Sequence, residues 1–210
     1  MKFRDFEEKY TNYPIISDSI FLQEYNIKYL RILITKWVKK KWLIRLKKGF
    51  YVINKDYYLN KLNRYFIANN IYTPSYISLW SALSFYGIIP EGVYSITSVS
   101  SRKTALFKNF FGDFIYHNLK NELFFGYEIK VIDNLNVLWA NPEKAFLDFL
   151  YLNIKNISIN DDIRDNFRFQ NLDKLRKTVI KKYLKVFNNK KLDIIVNKLI
   201  DVREGYRVIL

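Results

Sequence analysis

Apolar and polar positions alternate along the chain with two periods, and the change of period marks its elements. In residues 2–11, K-F-R-D-F-E-E-K-Y-T, Phe3, Phe6 and Tyr10 share one face of a first helix that Pro14 ends. Ser17 is placed to cap a second, short helix whose Ile20 and Phe21 point inward, and Asn26 to cap a longer one. On that longer helix Ile27, Leu30, Ile34, Trp37 and Val38 form an apolar stripe. Lys28, Tyr29, Ile32, Thr35, Lys36 and Lys39 fall opposite, with Arg31 at their flank. Residues 43–46 and 50–53 then alternate with period two, joined through Lys47-Lys48-Gly49, where glycine supplies the positive φ of a tight hairpin. Helix, turn, basic helix and lysine-tipped hairpin predict a winged helix-turn-helix, whose second helix enters the major groove while the wing meets phosphates. The expected DNA contacts are Lys28, Tyr29, Arg31, Ile32, Lys36, Lys39, Arg45, Lys47 and Lys48.

Beyond a boundary near residues 54–57 the pattern changes. Residues 57–71 read as one amphipathic helix through Leu59, Leu62, Tyr65, Phe66 and Ala68. Residues 73–90 read as a second helix, with Pro74 in its first turn and Gly87 at its end. Strand alternation follows at 93–99, 114–117, 127–132 and 137–140, with turns at Gly112-Asp113, Gly126 and Asp133-Asn134. Asn141 and Pro142 open a helix over 141–152, and 156–165 is a polar connection. Helices over 172–187 and 192–202 lead to a short terminal strand, 206–210. The expected fold class is α+β: a winged helix-turn-helix over 1–56, then a larger mixed α/β domain over 57–210. In the larger domain helices pack a small sheet, and from about residue 170 it becomes basic and helical.

Charge sharpens this division. Residues 1–56 carry 13 Lys/Arg against 6 Asp/Glu, residues 57–169 carry 11 against 10, and residues 170–210 carry 11 against 4. Two basic ends flank a nearly neutral middle in a chain of net charge +15, a distribution suited to polyanions. Lysine, asparagine, isoleucine, tyrosine and phenylalanine all have AT-rich codons, so part of the lysine excess is compositional. With half its residues hydrophobic the chain has ample material for a core. The sequence has no run of about 18 uncharged apolar residues and no secretion signal, so a cytoplasmic protein with no membrane partner is expected. It has no cysteine and a single histidine, His117, which excludes thiolate and paired-histidine metal sites. No cofactor and no metal is expected.

Candidate chemistry is sparse. Ser78 and Ser81 have no base beside them, and a small residue at a helix contact accounts for them better than a nucleophile does. Asp113 with Glu128-Ile129-Lys130 has the outline of a Mg²⁺ nuclease triad, with Glu128 and Lys130 on one strand face. That enzyme, or a module gripping RNA or an acidic protein with its two basic ends, is the alternative; the main expectation is a non-enzymatic DNA-binding protein.

Three stretches occur in order: W-V-K-K-K-W-L-I-R-L-K-K-G-F-Y at 37–51, S-x-x-S-A-L-x-x-Y-G-I-I-P at 78–90, and E-L-F-F-G-Y-E at 122–128 continuing into V-L-W-A-N-P-E-K-A-F-L-D-F-L-Y at 137–151. Together they resemble the AbiEi antitoxin family of abortive-infection toxin–antitoxin systems, over about residues 14–152. The resemblance implies an N-terminal winged helix that binds inverted repeats upstream of its own operon and represses it. It implies a C-terminal domain that counteracts a nucleotidyltransferase-like toxin without a stable toxin complex. Ser81, Glu143, Lys144 and Asp148 match the family motif with no assigned role; helix capping and an i, i+4 Lys144–Asp148 pair account for the last three. Tyr29 and Ile32 make the second helix more apolar than is usual in the family, and suggest contact with thymine methyl groups.

Overall fold

The computed structural model describes residues 1–20, 27–59 and 62–200. Two apolar clusters organise the described residues, and one hairpin belongs to both. The smaller cluster is enclosed by α1 (Phe3–Tyr10), α2 (Ile27–Lys39) and a three-stranded antiparallel sheet of β1 (Ile16–Ser17), β3 (Phe50–Ile53) and β2 (Leu43–Lys47), in that order. Phe6 and Tyr10 of α1 meet Leu30, Ile34 and Trp37 of α2, all almost fully buried, as the helical spacing predicts. The Trp37 ring lies 4.8 Å from Phe6 and 5.4 Å from Phe3, close enough for aromatic packing to add to simple burial.

Ser17 lies in β1 opposite Phe50, where Ile16 pairs with Tyr51 and completes the small core, and a 3-10 helix, Asp18–Ile20, follows it directly. The capping role of Asn26 and the inward placement of Phe21 fall outside the described residues. The hairpin turns at Lys48-Gly49 with Gly49 at φ 84°, and a bulge between Arg45 and Lys47 breaks the register. That bulge matters. Leu43, Tyr51 and Ile53 face the small cluster, while Leu46 and Val52 belong to the larger one. Asn109 seals the junction by donating its side-chain amide to the Leu46 carbonyl at 3.0 Å.

The larger cluster surrounds a mixed six-stranded sheet. Its strands are β4 (Ser75–Ile77), β5 (Ile96–Ser100), β6 (Ala105–Asn109), β7 (Gly112–Asn118), β8 (Tyr127–Ile132) and β9 (Leu135–Ala140). Their spatial order is β6-β7-β5-β4-β9-β8, with β5–β7 and β4–β9 parallel. Adjacent residues of a strand face opposite ways, and β4 uses both. Tyr76 reaches Asp148 on α6 (Pro142–Asn153), while Ile77 pairs with Trp139, whose ring packs on Tyr65 of α4 (Arg64–Ile71). Helices therefore cover both faces, and the central strands β4 and β5 are buried at every position, their Ser and Thr residues included.

Several sequence expectations are corrected here. The single helix over 57–71 is two helices, α3 (Asp56–Leu59) and α4, because Asn63 restarts the chain by accepting from Phe66 N at 2.7 Å. The helix expected from Pro74 begins only at α5 (Leu79–Phe85); residues 75–77 are recruited as β4 between β5 and β9, where Tyr76 and Ile77 are wholly buried. Strand β6 was not expected, since Lys108 and Asn109 interrupt its apolar pattern. Its place beside the hairpin explains it. The polar connection holds a short helix, α7 (Ile163–Asn166). The chain then runs through α8 (Lys177–Phe187) and α9 (Lys190–Leu199), while the terminal strand at 206–210 falls outside the described residues.

Candidate nucleic-acid interface

Helix α2 is the longest helix of the N-terminal half, 13 residues or about 20 Å. Its Leu30, Ile34 and Trp37 are held inward by the small core, which forces the intervening positions out. Lys28, Tyr29, Arg31, Ile32, Thr35, Lys36 and Lys39 are all exposed. Arg31, Ile32, Thr35, Lys36, Lys39 and Lys40 line one shallow groove. Ile32 is 67% exposed and Tyr29 51%, so an apolar centre stands in a ring of cations. From Ile27 to Lys55 the chain has ten Lys/Arg and no Asp/Glu, and Lys55 pairs with Glu7. Thr35 is tied back to its own helix through the Arg31 carbonyl at 2.7 Å.

The hairpin contributes less than its sequence suggests. Arg45 and Lys48 are exposed. Lys47, expected as a free phosphate contact, is instead turned toward rings: its ammonium lies 4.5 Å from Phe50, 5.2 Å from Phe107 and 5.5 Å from Tyr72. Burial lowers its pKa, and the positive charge of Arg102, which stacks on the same Tyr72 ring at 4.8 Å, lowers it further. The bulge before Lys47 turns this part of the hairpin toward β6. The hairpin turn is held on its other side, where Asp18 N donates to the Gly49 carbonyl at 2.8 Å.

The motif residues of the larger body converge on the interior. Asn141 caps α6 by accepting from Lys144 N at 2.9 Å, and the helix runs Lys144 and Asp148 down one face, one turn apart. The two side chains form an ion pair with no solvent exposure. Tyr76 OH and Ser78 Oγ each donate to Asp148 Oδ2 at 2.9 Å, and Lys144 Nζ also donates to Tyr76 OH at 2.9 Å. The ammonium sits 5.0 Å from the rings of Phe125 and Phe187. Gly126 lets it in, for a Cβ there would stand 3.0 Å from Lys144 Cγ. Burial pushes Lys144 down and Asp148 up, each opposed by the other's charge. Tyr76 is pushed far up by burial and then by Asp148, so its hydroxyl stays a donor.

Glu143, one residue before, points elsewhere and accepts from Arg176 N at 3.0 Å and from its guanidinium at 2.9 and 3.1 Å. Burial alone would raise the Glu143 carboxyl, but these bonds outweigh it and hold the group below its usual range. Ser81 and Thr97 exchange hydrogen bonds: Thr97 N donates to Ser81 Oγ at 2.8 Å and Ser81 N to Thr97 Oγ1 at 2.9 Å. These contacts pin α5 to β5. The stretches around 78, 126 and 144 thus meet in one buried polar cluster that holds α6 to β4.

The nuclease outline does not assemble. Asp113 lies on β7 and pairs with Lys108 at 3.0 Å, while Glu128 and Lys130 pair with each other on β8 at 3.1 Å. Three strands stand between β7 and β8, a separation of roughly 19 Å at the usual strand spacing. Among the described residues no group of three His, Asp or Glu side chains could hold a metal ion. His117 is half-buried on β7, and burial lowers its pKa, which leaves it neutral near pH 7. No helix among the described residues is long and apolar enough to cross a membrane. The chain matches no protein-family model and no curated protein. The sequence pattern names most of the α2 face and Ser78, the latter as a small residue at a helix contact, but not Lys40, Tyr76, Phe125 or Arg176. Lys40 continues a lysine run and was legible. The others are joined to their partners only by the fold.

Proposed function

We propose that this chain is a sequence-specific duplex-DNA-binding protein, a transcriptional repressor that reads the major groove with α2. The observation that carries the reading is the α2 face: exposed Arg31, Lys36 and Lys39, with no carboxylate partner among the described residues, around an exposed Tyr29 and Ile32. A helix of this width fits the major groove, which is about 12 Å across. The cations would displace counterions from phosphates, and Ile32 and Tyr29 supply apolar contact of the kind thymine methyl groups accept. In this reading the N-terminal body is a winged helix whose hairpin adds Arg45 and Lys48 to the backbone contacts. The resemblance to the AbiEi family extends it to an autorepressor acting on inverted repeats in its own promoter. It extends it also to an antitoxin whose larger domain counteracts a nucleotidyltransferase-like toxin. Fluorescence anisotropy with the DNA upstream of its own gene, against shuffled duplex of equal length, tests the first part. Preference for the upstream DNA that disappears in the pair Arg31→Ala, Lys36→Ala supports it; equal affinity for both duplexes refutes sequence-specific repression. Rescue of cells arrested by a neighbouring nucleotidyltransferase gene tests the second.

A further inference from the structure

The two ends of the large sheet differ. Strand β6 is covered by the N-terminal hairpin through the Asn109–Leu46 bond, whereas among the described residues no strand pairs with the outer side of β8. Exposed sheet edges are commonly blunted by proline, a bulge or an outward lysine. Strand β8 has none of these along its outward positions: six residues, no proline, and an unbroken register with β9 from Tyr127↔Ala140 to Ile132↔Leu135. Its backbone parity follows from two bonds. Asn141 N donates to the Gly126 carbonyl at 3.0 Å, and Leu138 N, opposite Ile129, donates away from β8 to Asn69. In an antiparallel ladder bonded and unbonded pairs alternate. Gly126, Glu128, Lys130 and Ile132 therefore bond to β9, and Tyr127, Ile129 and Val131 turn their N–H and C=O groups outward. The side chains of Ile129 and Val131 are also 64% and 69% exposed.

We propose that this edge pairs with β8 of a second copy of the chain, antiparallel about a two-fold axis at Ile129. The occupant is identified by self-complementarity. With Ile129 opposite itself, the outward-turned residues of each strand fall opposite one another, Tyr127 against Val131, so their amides and carbonyls bond in register. Glu128 of each copy falls opposite Lys130 of the other, in the closer, unbonded pairs where side-chain contact is strongest. Within one chain these two side chains already share a face, 3.1 Å apart. The hairpin of β8 and β9 carries Glu128, Lys130 and Asp133, a net of −1 in a chain of +15. Repulsion between copies is therefore least at this surface. An unrelated extended peptide would gain the backbone bonds but not the charge palindrome. A six-residue edge buries little area, so the dimer is weak on its own and gains when two copies are held close, as on a repeated site.

The pairing does not depend on the DNA-binding reading and is tested without DNA, so either can fail alone. Sedimentation of the full chain over rising concentration should show a monomer–dimer equilibrium. Ile129→Lys sets two ammonium groups on the axis and should abolish the dimer. Glu128→Lys and Lys130→Glu each oppose like charges and should weaken it roughly tenfold. Mixed together, those two variants restore both opposite-charge pairs and should regain dimer, a recovery that damage to folding could not produce. A chain that stays monomeric throughout, a dimer indifferent to Ile129→Lys, or variants that fail to recover on mixing would each overturn the proposal.

Discussion

The exposed face of α2 and the buried face of α6 are built from the same kinds of residue and teach opposite lessons. On α2, Arg31, Lys36 and Lys39 are exposed, with no carboxylate beside them among the described residues. On α6, Lys144 is wholly buried, its ammonium bonded to Asp148 and Tyr76 and flanked by the rings of Phe125 and Phe187. A lysine inside a recognisable motif invites a functional role, yet among the described residues Lys144 and Asp148 have no solvent exposure. Lys36 and Lys39 of α2 are exposed, with no carboxylate partner among the described residues, and so have the access and charge that recognition of a polyanion requires. Motif membership and availability are different properties, and here they point to different helices.

The largest effect is expected on the buried side. Asp148→Ala leaves an ammonium enclosed with no counter-charge and deprives Tyr76 and Ser78 of their acceptor. Removing one partner of a buried pair typically costs about 3–5 kcal/mol, so a large fall in melting temperature is expected, seen by circular dichroism. Replacing both ends, Lys144→Met with Asp148→Leu, should cost much less, because no lone charge remains. Equal losses would mean the network does more than hold α6 to β4. In the small body Trp37→Ala should cost a similar amount, about 3–5 kcal/mol, through lost burial and the cavity left behind. DNA binding should fail with it, because the helix presenting Lys36 and Arg31 is held by that ring.

The pair Glu143–Arg176 sharpens the buried side through pH. The folded chain holds the Glu143 carboxyl below its ordinary value, so its contribution to stability is complete above the ordinary glutamate range. That contribution is lost as pH falls through the lowered folded value. Urea melts of the native chain and Glu143→Gln should therefore differ by about 1–3 kcal/mol near neutral pH and converge in acid. A difference that grows in acid would reverse the assigned direction.

Legibility in the sequence followed the same division. The stripe Leu30, Ile34, Trp37 declared the orientation of α2, because helical period and burial coincide there. Asn141 and Pro142 declared the start of α6 through local capping chemistry, and the spacing of Lys144 and Asp148 declared their pairing. What lay hidden was set by partners distant in sequence. Residues 75–77 became a strand because β5 and β9 flank them, and Arg176 meets Glu143 only through the docking of α8. The hairpin's second face was invisible for the same reason, since Leu46 and Val52 find their core in residues beyond 60. Isolating residues 1–56 would uncover that face, which argues that the N-terminal body depends on its neighbour.

On the exposed side effects on stability should be small and effects on DNA measurable. Lys36→Ala removes a solvated lysine and should change stability by no more than about 0.5 kcal/mol. In a titration across salt concentrations it should lower the slope of log affinity against log salt by roughly one unit. An unchanged slope would remove Lys36 from the contact surface.

The smallest effect separates two adjacent residues of one hairpin. Lys48 is exposed at the turn, and Lys48→Ala should act as Lys36→Ala does: a shallower salt slope, an unchanged melt, and affinity lowered evenly across sequences. Lys47 is committed to the rings of Phe50, Tyr72 and Phe107, and so to the junction between the two apolar clusters. A partly exposed cation over an aromatic face contributes about 0.5–1 kcal/mol. Lys47→Ala should therefore lower the melt slightly and leave the salt slope where it was. Lys47→Met, which keeps the apolar stem but not the charge, should recover part of that loss. If instead Lys47→Ala flattened the salt slope as much as Lys48→Ala, the ammonium would have to leave its rings for a phosphate when DNA binds. The hairpin would then reach the backbone with both lysines, and its contact with β6 would be one that binding competes against.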